Sequence, residues 1–247
     1  LMTGHDDLPA IVDAVNRGGA FKVLRKPFRH QELFGVLDGA IDNVQRLVAA
    51  SAASTRDRRE AELQALQAVF DERSMRLAVQ PIVEAASTGS VRAYEALMRP
   101  QSQRYPTPSA LLIAAEEHGR VHDVGAEVLR VATERLAEIP SDALLFVNLH
   151  PSQLGEPARL ARAFEGLLPV AHRIVFELTE RSRLTDIDGW EESVDLLGAH
   201  GFSLAVDDLG AGYNALGMLA DLQPQFIKLD MGLIQGIDKS ARKRRLV

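Results

Sequence analysis

The chain has 247 residues, 46% apolar and 25% charged, the make-up of an ordinary soluble globular protein of one or two domains. A net charge of -6 and a pI near 5.7 give it no basic field to attract a nucleic acid polymer or an anionic membrane. Cysteine is absent, which excludes disulfides, thiolate zinc sites and a cysteine nucleophile together. No apolar run approaches the roughly 18 residues of a membrane span, and no signal peptide opens the chain. Cytoplasmic localisation is the expectation.

Leu1-Met2-Thr3 reads as the end of a strand already under way, and 245–247 stops in mid-pattern for a helix starting near Leu233. Both ends predict a fragment of a longer protein. A helix is expected over 8–17, a stop at Gly18-Gly19, a short strand over 20–24, then Lys26-Pro27 and a helix from about Arg29. In that helix Leu33, Val36, Leu37, Ile41, Val44 and Leu47 recur at three- and four-residue steps, predicting one buried face. The small, polar stretch 49–55 reads as a linker or helical connector, and a second amphipathic helix is expected over 58–72.

Strands follow near 76–83, 93–99, 143–149, 173–178, 202–207 and 225–230. Helices between them are expected over 109–117, 123–138, 157–168, 189–200 and 213–222. This alternation predicts an α/β fold with parallel pairing and helices covering the sheet. Six strands are visible where a closed (β/α) barrel has eight, so an incomplete TIM-like barrel is expected. Its open edges lie near Arg76 and Asp230.

Seven polar residues sit at or beside the ends of these apolar runs: Glu95, Asn148, Glu177, Asp207, Asp208, Lys228 and Asp230. Carboxylates gathered from several strands at one rim repel one another unless cations sit among them. The residues themselves therefore predict a divalent-metal site with a lysine beside it. Taken singly, an acid at a strand end is an ordinary helix cap or loop residue; the coincidence of seven carries the reading.

The motifs Gln80-Pro81-Ile82-Val83, Tyr94-Glu95-Ala96-Leu97-Met98-Arg99, Val147-Asn148-Leu149, Glu177-Leu178-Thr179-Glu180, Asp207-Asp208-Leu209-Gly210-Ala211-Gly212-Tyr213 and Ile227-Lys228-Leu229-Asp230 occur in one chain in this order. From about Leu63 onward the chain resembles the EAL-domain cyclic di-GMP phosphodiesterases. That resemblance implies hydrolysis of one phosphodiester of cyclic di-GMP to linear pGpG, assisted by two divalent ions about 3.5–4 Å apart. Oxygen ligands imply Mg²⁺ or Mn²⁺. It assigns Glu95, Asn148, Glu177 and Asp207 to the first ion, with Asp207 bridging to a second near Asp208 and Asp230. Lys228 would orient or deprotonate the attacking water, and Glu95 shares the catalytic role. Gln80, Leu97 and Arg99 would meet the substrate, Arg99 through its guanidinium fork.

Residues 207–216 resemble the family's loop coupling the metal site to a dimer interface, with Glu180 as its anchor and Gly210 and Gly212 at its turns. Leu209 and Ala211 replace the commoner phenylalanine and threonine there. Two later family strands, one carrying a glutamate of the second metal shell, have no counterpart. The first metal site is complete in this sequence and the second is not.

Residues 1–48 resemble the C-terminal part of a response-regulator receiver domain, with Thr3 and Lys26 as its switch pair. The phosphoacceptor would lie upstream. The resemblance implies a homodimer regulated by a sensor histidine kinase. A catalytically lost EAL module that binds cyclic di-GMP or a protein is the alternative. Two features are discounted: His118 and His122, whose zinc-like spacing Gly119 interrupts, and the basic run Lys239, Arg242–Arg245, read as a solvated helix face rather than a nucleic-acid patch.

Overall fold

The computed structural model of the chain describes residues 2–3, 24–25, 28–85, 89–179, 184–210 and 215–246. The helix expected over 8–17, Lys26, Glu180 and Gly212 lie outside the described residues. The chain divides into two compact units, Leu1–Glu62 and Leu63–Val247. No described helix is long and apolar enough to cross a membrane.

In the first unit β1 (Met2–Thr3) pairs in parallel with β2 (Leu24–Arg25), so Thr3 closes β1 opposite Arg25. One helix, α1 (His30–Asp71), runs through both expected helices, so the stretch between them is the helical connector of the two alternatives. Residues 49–55 are helical because four of the seven are alanine, the most favourable residue for a helix. Thr55 keeps its hydroxyl within the helix by donating to the Ser51 carbonyl at 2.9 Å. The buried face expected on this helix is corrected. Leu33 and Val36 are half-buried, while Phe34, Leu37, Ile41, Val44, Leu47 and Val48 are exposed.

The second unit is a six-stranded sheet in chain order: β3 (Met75–Val83), β4 (Val91–Pro100), β5 (Leu144–Asn148), β6 (Ile174–Thr179), β7 (Ser203–Leu209) and β8 (Phe226–Leu229). Neighbours from β4 to β8 run parallel. The first pair, β3 with β4, is antiparallel, against the expectation of parallel pairing throughout. The connection over 84–90 is too short for a crossover, which takes a dozen residues or more. Among the described residues β3 and β8 form the two edges, as the open-barrel reading anticipated.

Helices α2 (Pro108–Glu117), α3 (Val121–Arg135), α4 (Pro157–Phe164), α5 (Trp190–Ala199) and α6 (Ala215–Leu222) connect the strands. Strand residues alternate between two surroundings. Leu77, Ala96, Leu145, Val147, Phe176 and Val206 join the main core with the helices. Ala93, Phe146, Val175 and Ala205 form a second, smaller core on the opposite, inner face, flanked by Ile82 and Phe226. The central strand β6 is buried on both faces, which explains its continuous apolar run. Phe176 packs on Phe202 at 5.1 Å between ring centroids, and Phe202 on Phe164 at 4.9 Å.

The C-terminal stretch also differs from the single helix expected from Leu233. It divides into α7 (Met231–Ile234), a 3-10 turn at Ile237–Lys239 and α8 (Lys243–Leu246), because Gly236 takes a positive φ of 72°. Lys243 Nζ donates to the Gly232 and Gln235 carbonyls at 2.6 and 2.7 Å. Part of the basic run thus binds local backbone rather than standing free in solvent.

Phe176→Ala is expected to lower stability by about 3–5 kcal/mol, since a fully buried aromatic leaves a cavity between sheet and helices. Urea unfolding measures it; a loss under about 1 kcal/mol would contradict the packing described.

Candidate active site

Each inner-face core residue is followed two positions later by a polar candidate. Ala93 leads to Glu95, Phe146 to Asn148, Val175 to Glu177, Ala205 to Asp207 and Phe226 to Lys228. On antiparallel β3 the order reverses, Ile82 preceded by Gln80, and Gln80 stands opposite Glu95. The strand period of two therefore places an apolar floor beneath a polar tier. Phe146 and Phe226 meet edge to face at 5.2 Å in that floor.

Three carboxylates of the tier converge on one ammonium. Lys228 Nζ lies 2.7 Å from Glu177 Oε1, 3.2 Å from Glu95 Oε1 and 3.4 Å from Asp207 Oδ1. Glu177 is 1% exposed, and neither carboxylate oxygen receives an aligned hydrogen bond; Lys228 meets it as an ion pair. Burial pushes the Glu177 carboxyl up to about 7 against the pull of Lys228. Burial disfavours the Lys228 charge, but Glu177, Asp207 and Glu95 outweigh it, so the lysine is held above its ordinary value. In this state Lys228 is an ammonium that donates to the carboxylates around it.

The remaining candidates spread around this centre. Asn148 is exposed at the end of β5 and stands opposite Glu177 in register. Asp207 and Asp208 form an irregularity in the β7–β8 register, with Asp208 at a positive φ of 57° and its N–H donating to Asp207 Oδ1 at 2.9 Å. That turn points Asp207 inward and leaves Asp208 exposed. Asp230 caps α7, accepting from the Gly232 N–H at 2.7 Å, the ordinary alternative for an acid at this position. Gly210 follows at φ 102°, where an added Cβ would lie 2.3 Å from Leu233 Cδ1.

A cavity of about 290 Å³ adjoins the tier. Leu97, Arg99, Asn148 and Glu177 line it from the strands, and Leu112 and Val124 from the helices. Arg99 is exposed and donates to the Met98 carbonyl at 2.9 Å; no acid partner holds it among the described residues. Gln80 is exposed on the inner face beside Glu95 and is not part of the cavity wall. The glycine of α3 at Gly125 makes room for Gln153, whose Nε2 would stand 1.9 Å from an added Cβ.

The sequence reading passed over His150. It lines the cavity, pairs with Glu116 Oε1 at 2.9 Å and caps the 3-10 turn Pro151–Gly155 together with Gln153. Its place two residues beyond Asn148, on the same strand parity, was the available signal. The discounted histidines do not form a pair: His118 caps the end of α2, whereas His122 belongs to α3 and meets Glu156 at 3.1 Å.

The donor chemistry fits a hard divalent cation, because Glu95, Glu177 and Asp207 converge as carboxylates and Lys228 is the one cation that meets the buried Glu177 among the described residues. In this geometry the ammonium holds the centre, and among the described residues no three carboxylates or imidazoles are arranged to coordinate one ion.

The raised Glu177 value has a stability consequence. The folded chain binds this proton more tightly than the unfolded one, so the contribution is complete below the ordinary value of 4.5 and is lost as pH rises through about 7. In chelator, the urea midpoint of Glu177→Gln should fall less between about pH 5 and about pH 8 than that of the parent chain. Equal slopes would contradict the burial-raised carboxyl described above.

The chain is similar to several known proteins. The cyclic di-GMP phosphodiesterase RocR of Pseudomonas aeruginosa is 33% identical over 142 residues, covering 55% of this chain and 36% of RocR. The blue light- and temperature-regulated antirepressor BluF of Escherichia coli is 28% identical over 176 residues, covering 69% of this chain and 42% of BluF. The manganese and cyclic di-GMP complex of Klebsiella pneumoniae BlrP1 superposes with a TM-score of 0.60 at 29% identity, covering 70% of this chain and 44% of that one. A calcium and cyclic di-GMP complex of BlrP1 is similar too. The chain spans only about a fifth to two fifths of the length of curated relatives such as these. The EAL domain profile matches residues 63–247, three quarters of the sequence, and the chain belongs to the EAL domain family.

Proposed function

We propose that residues 63–247 are the phosphodiesterase part of a larger signalling protein, hydrolysing cyclic di-GMP to linear pGpG with Mg²⁺ or Mn²⁺. The observation that carries this is the convergence of Glu95, Glu177, Asp207 and Lys228 beside a cavity at the strand ends. Glu95, Asn148, Glu177 and Asp207 would hold a first ion, with Asp207 shared towards a second near Asp208 and Asp230. Bound divalent ions supply Lewis-acid polarisation of the phosphodiester and a lowered pKa for water.

The chain's own residues do the rest. The apolar floor of Phe146, Val175 and Phe226 keeps water from beneath the carboxylates and strengthens every charge interaction above it. Lys228, as an ammonium, donates a hydrogen bond that orients the attacking water toward phosphorus. Arg99 is free to leave the Met98 carbonyl and fork onto a phosphate, while Gln80 and Leu97 bound the nucleotide. Water adds to phosphorus as the bond to the ribose oxygen breaks, and that oxygen leaves with a proton. Asp208, Gly210 and Gly212 would belong to the loop that couples this site to a homodimer, with Glu180 as its anchor.

The units proposed are a receiver segment at 1–48, a helical connector at 49–62 and the EAL domain beyond it. In the parent protein a sensor histidine kinase would act on the receiver, whose switch includes Thr3 and Lys26. No nucleic acid polymer and no membrane is a partner in this reading, and the setting is cytoplasmic. A second reading, an EAL module that binds the nucleotide or a protein without turnover, draws on the likeness to an antirepressor.

In the full-length protein, Glu95→Ala and Lys228→Ala should each reduce pGpG formation by at least about a hundredfold, a loss of about 2.7 kcal/mol in transition-state stabilisation. Calorimetry with Mn²⁺ should separate them: Glu95→Ala loses affinity and Lys228→Ala retains it. Cyclic di-GMP binding without product in the full-length protein would select the second reading.

A further inference from the structure

Asn148 is the one neutral residue among the proposed ligands of the first ion. It ends β5 exposed, and among the described residues its carboxamide makes no hydrogen bond. Its position therefore depends on the backbone where the chain leaves the strand.

That stretch is tied in three places. The Leu149 N–H donates to the Glu177 carbonyl at 2.9 Å, which carries the contact of β5 with β6 one residue past Asn148. The His150 N–H donates to Gln153 Oε1 at 3.1 Å, and Gln153 is buried in the notch that Gly125 leaves in α3. The third tie is the His150 ring. Its Nδ1 accepts from the Ser152 N–H at 3.3 Å and lies 2.8 Å from Ser152 Oγ, while Nε2 meets Glu116 Oε1 at 2.9 Å. A carboxylate only accepts, so Nε2 carries the proton and one tautomer serves both partners.

Capping the turn uses Nδ1 alone. Nε2 reaches across 34 chain positions to α2, and a pair whose members are 26% and 52% exposed adds little to stability. What this contact supplies is position.

We propose that His150 is a positioning residue: its bond to Glu116 fixes the chain beyond β5 against α2 and so sets the carboxamide of Asn148 at the site. This rests on the metal-dependent reading above, in which Asn148 holds the first ion. Groups that orient a ligand without touching the ion tune its affinity, and His150 acts on Asn148 through two residues of backbone.

His150→Gln and His150→Asn separate the two ring nitrogens. Glutamine reaches as far as Nε2 and can donate to Glu116, whereas asparagine replaces the Nδ1 cap and falls short of α2. In calorimetry of the full-length protein, His150→Asn and Glu116→Ala should each bind Mn²⁺ about threefold to tenfold more weakly, while His150→Gln stays within about twofold of the parent. The KM for cyclic di-GMP at saturating Mn²⁺ should not change. Parent-like Mn²⁺ affinity in His150→Asn overturns the proposal, and a raised KM beside that affinity would set His150 against the substrate itself. A parent protein that takes up no Mn²⁺ removes the metal reading, and hydrogen exchange without metal then decides the tie alone. The Leu149 and His150 amides should exchange faster in His150→Asn than in the parent or in His150→Gln. Equal rates in all three would show that the bond to Glu116 fixes nothing at the end of β5.

Discussion

The site rests on one imbalance: three carboxylates share one ammonium above an apolar floor. Glu95, Glu177 and Asp207 bring three potential negative charges, Lys228 brings one positive charge, and the difference is the charge of one divalent ion. Glu177 bears the cost because it is the carboxylate taken furthest out of water. Its carboxyl answers by titrating near neutrality instead of staying ionised. A cation supplied from solution is the other way to relieve the same imbalance. The phenyl rings of Phe146 and Phe226 are therefore part of the electrostatics, since they set the low polarity against which the charges interact.

Much of this arrangement was legible in the sequence. The six strands emerge close to their expected positions because apolar alternation and turn residues mark them strongly. Glu95, Glu177, Asp207 and Lys228 meet because each stands at the same strand parity, which a sequence displays directly. Asp230 illustrates the limit: its carboxylate serves a backbone N–H two residues on, and a motif does not distinguish a cap from a ligand. The side-chain meeting of His150 with Glu116 spans 34 positions and leaves no local periodicity to read.

The other departures have ordinary physical causes. A short connection reversed the direction of β3 relative to β4. The apolar stripe of α1 was read as a core face because periodicity reports that a face seeks cover, not what covers it. At the C-terminal stretch one glycine with positive φ outweighed a helical pattern of leucine, isoleucine and arginine. Each case sets a local backbone or length constraint against a longer-range pattern.

The alternation between floor and tier also governs which kinds of genetic change the domain can absorb. Insertion of a single residue within β5, β6 or β7 would exchange the two faces from that point on, sending Asn148, Glu177 or Asp207 toward the helices and an aliphatic side chain into the cluster of charges. Lengthening the loops before those strands would leave the parity untouched. The lineage carrying this chemistry is thus free to vary its connections while the lengths of its short inner strands stay fixed, and drift in the domain should be recorded in the loops.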